Sequence, residues 1–221
     1  MIDMGMYSYV LRYDDGAAPN PFYGYCTIAI CKPAIRRVAN FGDWIIGTGN
    51  AKIGNDKIVY AMKVTYCMDF QKYFKDNRFQ AKIPRFDNFD KHCHLGDNIY
   101  KPTGNGFEQL PSVHSDGYKE NLKNKLHDLG KNLHNNRILV SDHFYYFGDN
   151  AVDLPENLRF IFKKGQWHKS DFTNEQVAEF ENFIKGLGFE PGIHGKPNNI
   201  LTPEEVLDDT CIKCNKIIEE D

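Results

Sequence analysis

Arg137-Ile138-Leu139-Val140-Ser141-Asp142-His143-Phe144-Tyr145-Tyr146-Phe147 runs through β-branched and aromatic residues and stops at Gly148-Asp149-Asn150. A run apolar on both alternating faces belongs to a strand covered on both sides, so the chain holds a sheet with a buried central strand. Upstream, Gly42-Asp43-Trp44-Ile45-Ile46-Gly47-Thr48-Gly49 reads as a turn feeding a strand. Lys57-Ile58-Val59-Tyr60-Ala61-Met62-Lys63-Val64-Thr65-Tyr66 reads as its pairing partner, with Gly49, Asn50, Gly54 and Asn55 turning between them. Tyr7-Ser8-Tyr9-Val10-Leu11-Arg12-Tyr13 adds a further strand, ended by Asp14-Asp15-Gly16.

Helices flank these strands. Pro33 takes the first helical position of a short helix ending near Asn40, with Ile35, Val38 and Ala39 on one face. Asp69 caps a second, through Gln71 to Lys75. Thr173-Asn174-Glu175-Gln176 has the capping-box form, and Val177, Phe180, Ile184 and Leu187 keep helical spacing until Gly188. A second box, Thr202-Pro203-Glu204-Glu205, opens an acidic helix before Cys211-Ile212-Lys213-Cys214. Residues 77–136 read as loop-rich, with a short helix at 120–129, and loops that long in a compact domain are usually functional. The expected organisation is one domain over 1–221: a β-rich core at 7–150 and an acidic helical part at 151–221 packed on it.

The 221 residues are 41% hydrophobic and 26% charged, which fits one soluble globular domain. The longest apolar run, Cys26-Thr27-Ile28-Ala29-Ile30-Cys31, is far short of the roughly 18 residues a spanning helix needs, so no membrane partner is expected. Met1-Ile2-Asp3-Met4-Gly5-Met6 carries an acid and no basic leader, which points to a cytoplasmic protein with six reduced cysteines. Basic and acidic residues number 7 and 6 in 1–70, 12 and 8 in 71–137, and 8 and 16 in 138–221. A pI near 6.2, against the value above about 9 typical of duplex binders, argues against nonspecific DNA binding and leaves room for a small basic pocket.

Several constellations could carry chemistry. Cys211 and Cys214 have zinc-ligand spacing but are half a structural site, and His92 and His94 could complete it. Two thiols on an acidic tail are the plain alternative. Ser112-Val113-His114-Ser115-Asp116 puts three polar side chains on alternate positions, with His114 as a general acid or base; an exposed polar turn is the other reading. Gly96-Asp97-Asn98-Ile99-Tyr100 could read a ring edge or be an Asx turn. Lys32, Arg36 and Arg37 could hold a phosphate or be a solvated face, and Trp44 could stack on a base or fill the core. No P-loop, no G-x-S-x-G, no G-x-G-x-x-G and no H-E-x-x-H occurs.

The ordered succession Tyr9-Val10-Leu11-Arg12-Tyr13-Asp14, Ala18-Pro19-Asn20-Pro21-Phe22, Cys26-Thr27, Cys31-Lys32-Pro33-x-Ile35-Arg36, Gly42-Asp43-Trp44-Ile45-Ile46-Gly47-x-Gly49, Tyr60-Ala61-Met62-x-Val64, Gly96-Asp97-Asn98-Ile99-Tyr100, Ser112-x-His114 and Ser141-x-x-Phe144-x-Tyr146-Phe147-Gly148 resembles the nucleotide modification associated domain of the second type. The resemblance spans residues 7–150. It implies a bacterial or phage setting beside systems that make or handle modified DNA bases. A second resemblance, to PUA-like folds of the EVE, YTH and ASCH type, covers residues 35–76: Gly42-Asp43, Ile45-Ile46, Val59 to Val64, then Phe70, Tyr73 and Asp76. It implies a flipped base held in an aromatic-walled pocket; the 17–33 insertion and residues 77–136 depart from that plan.

The expected fold is α+β: a PUA-like mixed or antiparallel, partly closed β-barrel, flanked by helices near 33–40, 69–76 and 174–187. The leading functional expectation is binding of a modified nucleobase or nucleotide. Trp44, Tyr100 or Tyr146 would stack, Asn20, Asp97 and Asn98 would read the edge, and Lys32 and Arg36 would take the phosphate, with Ser112 and Ser141 as further contacts. The alternatives are an enzyme with His114 as acid or base, oriented by Asp97 or Asp14, and a protein-interaction module using the acidic C-terminal third. No cofactor is required; Cys211 and Cys214 are the candidate ligands for a structural zinc, with two plain thiols the favoured reading.

Overall fold

The computed structural model describes residues 4–86, 91–115, 120–163 and 165–199. The chain is mixed α+β. Its largest sheet carries β1 (Met6–Val10), β3 (Trp44–Thr48), β4 (Lys57–Lys63), β9 (His143–Tyr146) and β11 (Gly192–Ile193) in that order, with β10 (Val152–Asp153) pairing with one end of β4. β1 runs parallel to β3, and β3, β4 and β9 are antiparallel neighbours. A second sheet joins β2 (Cys26–Ile28), β8 (Ile138–Ser141) and β5 (Tyr66–Met68), and β6 (Tyr100–Thr103) pairs with β7 (Gly106–Gln109) in a hairpin. Among the described residues no sheet closes into a barrel.

Both faces of the large sheet are covered, which is why its strands read as unbroken apolar runs. Tyr9, Ile45, Tyr60, Met62, Phe144 and Tyr146 pack with Cys26, Ile28 and Leu139 of the second sheet and with Ile35 and Ala39. Their neighbours one residue along, Ile46, Ala61, Tyr145 and Phe147, pack on the opposite face against Val177, Phe180 and Ile184. These last three sit on α4 (Asn174–Gly186), whose capping box is formed as the sequence reading expects. The other helices, α1 (Pro33–Val38), α2 (Phe70–Lys75) and α3 (Leu122–Leu129), also fall where the sequence places them.

Two strands differ from their sequence readings: the 57–66 run ends as a strand at Lys63, and its Tyr66 begins β5 in the second sheet. The 137–147 run is not one strand but two in different sheets, broken at Asp142. The Ser141 hydroxyl donates to the Lys63 carbonyl (2.6 Å) and accepts from the His143 N–H (3.0 Å), and Asp142 N–H donates to Thr65 Oγ1 (3.1 Å). These bonds satisfy the main chain where the ladder is interrupted and carry it from one sheet to the other. Ser141 thus serves the fold and lies on no cavity described below. The second capping box and Cys211 and Cys214 lie outside the described residues.

Candidate active site

The chain leaves β2 through buried Ala29 and Ile30 and turns sharply into α1. The turn places two successive non-glycine residues, Cys31 (φ 57°) and Lys32 (φ 44°), in the left-handed region, and Pro33 follows at the first helical position. Each such residue costs on the order of 1 kcal/mol or more and persists only where its surroundings dictate it. Here they do. The Cys31 N–H donates to Asp128 Oδ1 (2.7 Å), and the Cys31 carbonyl accepts from Arg36 Nε (2.8 Å).

Asp128, near the end of α3, is fully buried and gathers donors on both oxygens. Oδ1 takes Cys31 N–H and faces His127 Nδ1 (3.3 Å) and the Arg36 guanidinium (3.9 Å). Oδ2 takes Tyr100 OH (2.7 Å) and His114 Nε2 (2.9 Å). Burial alone would raise its carboxyl; the charge that His114 carries once protonated, the hydrogen bonds of His114 and His127 and the charge of Arg36 win and hold it well below the ordinary carboxylate range. A carboxylate on Nε2 favours the tautomer with its proton there, which leaves the lone pair of Nδ1 on the other side of the ring. That side faces Cys31, with Sγ 4.0 Å from Nδ1.

Thiol, imidazole and carboxylate therefore stand in the order of a nucleophile, its base and the group that orients the base. The Ser112 hydroxyl accepts from His114 N–H (3.2 Å) and meets Ser115 Oγ (2.8 Å), and Asn124 Nδ2 donates to the His114 carbonyl (2.7 Å). The 112–115 segment is thus a buried, fixed loop and not an exposed turn; Asp116 lies outside the described residues. Cys31 and His114 line a cavity of about 60 Å³ together with Asp15, Ala17, Ala18, Lys32 and Val113. Burial pushes the Asp15 carboxyl upward, against the N–H of Ala17, which donates to it (2.9 Å), and the pull of His114.

The same three side chains bring a sulfur, a nitrogen and an oxygen within 4.8 Å of one another, a donor set a zinc-like ion takes. Seating an ion there would cost Asp128 some of its present hydrogen bonds, whereas the triad uses them as they stand.

The remaining expected site residues divide into separate groups. Asp97 accepts from Thr27 Oγ1 (2.6 Å) and Tyr73 OH (2.7 Å). Asn20 Oδ1 accepts from Lys82 Nζ (2.6 Å), its Nδ2 donates to the Leu95 carbonyl (2.7 Å), and Asn98 Nδ2 donates to the Phe79 carbonyl (3.1 Å). Burial raises the Asp97 carboxyl and pulls Lys82 down to about 8. This set is buried and spends its polar atoms on main chain and on itself. Asp14 accepts from Tyr146 OH and from Asn198 N (3.0 Å) and Nδ2 (2.7 Å), fastening the 198–199 segment to the sheet. Trp44 is a core residue, its ring edge-on to Phe180 and its Nε1 donating to Glu181 (2.9 Å).

Arg36 does not face a phosphate: it is fully buried and donates to the carbonyls of Cys31, Asp128, Asn135 and Arg137. Lys32 alone of the proposed phosphate ligands lines the cavity. Of the expected residues, His114, Tyr100, Ser112, Lys32 and Arg36 converge on one site. Cys31, Asp128 and Asp15 were not expected there. Six cysteines and eight histidines leave no sequence signal that singles out Cys31, and nothing in the α3 sequence marks Asp128.

No helix among the described residues is long and apolar enough to cross a membrane. No curated protein and no solved structure matches the chain. The family described as nucleotide modification associated domain 2 matches residues 3–204, almost the whole sequence, and the chain belongs to that family.

Proposed function

We propose that the protein is an enzyme acting on a modified nucleotide or base by thiol nucleophilic catalysis, with Cys31 as nucleophile, His114 as its base and Asp128 as the group that orients His114. The observation that carries this reading is the Cys31–His114–Asp128 alignment at the wall of a cavity. His114 Nδ1 takes the Sγ proton, and the thiolate adds to a trigonal carbon of the substrate that bears oxygen or nitrogen. Such a carbon accepts a thiolate without an added oxidant or reductant. The departing atom leaves with the proton that His114 took from Sγ as its bond to that carbon breaks, and water, deprotonated by His114, then releases the carbon from Sγ and restores the thiol.

Cavity size favours this over a reader that encloses a flipped base. A water needs roughly 10–15 Å³ by the same kind of measure, and a dry cavity that takes benzene is about 150 Å³. The Cys31 cavity, about 60 Å³ and open on one side, is too small to enclose a base and has room for a substituent. The PUA-like comparison is an analogy of fold and supplies no residue here. A nucleotide partner fits the family and the lysine at the cavity wall.

The test has two readings. Alkylation of Cys31 by iodoacetamide at neutral pH is expected to outpace that of exposed Cys67 and to slow about tenfold in His114→Ala. Mass spectrometry of nucleosides and nucleotides, after incubation with modified phage DNA and free nucleotide pools, is expected to show a change that Cys31→Ser and His114→Ala both abolish. Equal alkylation of Cys31 and Cys67 in wild type and variant, with a mass change that survives both substitutions, overturns the proposal.

A further inference from the structure

Beside the Cys31 cavity lies a smaller groove, about 30 Å³, along Tyr9, Lys32, Pro33, Ile35, Trp167 and His168, which does not enclose a base and can offer one only a face to lie against. Lys32 lines both, so the two are neighbours across one side chain. No acid lines the groove, and the Lys32 ammonium stands 4.9 Å from the centre of the Tyr9 ring. Trp167 is 58% exposed. A large aromatic ring is normally placed where its area is buried, and exposure forfeits that gain.

This indole is not at the tip of a loose loop. Its backbone is left-handed (φ 71°), a conformation a bulky residue adopts only under constraint. The constraint follows at once in the chain. Ser8 and Lys169 exchange two main-chain hydrogen bonds (2.9 and 2.8 Å), and Lys169 Nζ donates to the Phe160 carbonyl (3.1 Å). The His168 ring lies 5.8 Å from that of Tyr7. The fold thus clamps 168–169 to β1 and holds the preceding indole outward, at the edge of the groove.

We infer that this groove is the base-stacking subsite of the enzyme: the nucleobase ring of the substrate lies against Trp167, while its reactive substituent passes Lys32 into the Cys31 cavity. The inference rests on the reading of the Cys31 cavity as acting on a nucleotide. It explains where the base goes when the cavity admits only a substituent. Stacking on an indole tolerates any base because every base has a π-face, so identity is read in the cavity and not in the groove.

The test uses the full-length protein and its intrinsic fluorescence, with dTMP, dCMP, dAMP, dGMP and a single-stranded oligothymidylate as probes. Trp167 is exposed and Trp44 buried, so quenching that is present in wild type and absent in Trp167→Ala belongs to Trp167. By calorimetry, Trp167→Ala is expected to bind roughly 5- to 150-fold more weakly, the range that a stacked base is worth, with Trp167→Phe recovering part of the loss. A mononucleotide bound as well as the oligomer assigns a free nucleotide as substrate; tighter oligomer binding assigns a polynucleotide.

Absence of quenching by every probe at millimolar concentration, or Trp167→Ala binding within twofold of wild type, overturns the inference. Cys31→Ser separates the two proposals. Quenching retained in a protein whose thiol proves unreactive removes the catalytic reading and leaves the groove as a binding site. Cys31-dependent chemistry without Trp167 quenching removes only the groove.

Discussion

Asp128→Asn tests the architecture of the site without needing its substrate. The replacement keeps shape and volume but puts an NH2 group where an oxygen was. One oxygen position faces Cys31 N–H, His127 and Arg36, the other Tyr100 OH and His114 Nε2. With its nitrogen on the first side the amide meets Cys31 N–H donor to donor; on the second side it is accommodated only if Tyr100 OH turns to accept and His114 takes the other tautomer, and in either case hydrogen bonds to a charged acceptor, each worth about 1.5–3 kcal/mol, are lost or become neutral. The buried Arg36 guanidinium also loses its countercharge, and breaking a buried pair from one side costs about 3–5 kcal/mol. These costs overlap, so the expected loss is about 3–5 kcal/mol, a large part of the roughly 5–15 kcal/mol that holds a domain folded. Urea unfolding followed by circular dichroism measures it, alongside Arg36→Met and the double variant. If Asp128 and Arg36 form one unit, the double variant is less damaged than the sum of the singles by at least about 1 kcal/mol. A loss below about 1 kcal/mol for Asp128→Asn, or additivity within about 0.5 kcal/mol, refutes the account of Asp128 as the anchor of the Cys31 turn.

Lys82 gives a prediction in pH. Its folded value, about 8, lies below the 10.5 of a free lysine, so from pH 8 to 10.5 the unfolded chain holds the extra proton and stability rises with pH. Relative to Lys82→Met, wild type should gain stability over that window, by an amount on the order of 3 kcal/mol if the full separation is expressed; a flat or falling difference in urea titrations refutes it. Gly47→Ala would drive a Cβ into the ring of Tyr60, which is fully buried and bonded to Tyr9 OH (2.7 Å). A destabilisation of about 1–3 kcal/mol is expected, and a neutral thermal melt would show that the ring yields. Phe180→Ala empties the α4 contact with Trp44 and should cost about 3–5 kcal/mol in unfolding while leaving the alkylation rate of Cys31 unchanged.

The elements were legible because each is written locally. A proline at the first position fixes α1, a capping box opens α4, and paired apolar runs mark β3 and β4. The split of the 137–147 run was not legible, because two buried strands joined end to end have the composition of one, and only Ser141 and Thr65 reveal the change of sheet. The same distinction governs the site. His114 was visible since its residue type has few other uses, and its polar neighbours lie beside it in sequence. Cys31 was hidden in a run read as core, and what makes it a candidate nucleophile comes from residues 83 and 97 positions away. Arg36 shows the converse. A basic residue beside a helix start has the sequence signature of a phosphate ligand, yet its donors go to four carbonyls around the turn that presents Cys31. Charge in a sequence says that a group needs partners; only the fold decides whether those are a ligand or the chain itself. Here the chain takes Arg36 and Asp128 for itself, and the left-handed turn they hold is what brings the thiol to the imidazole.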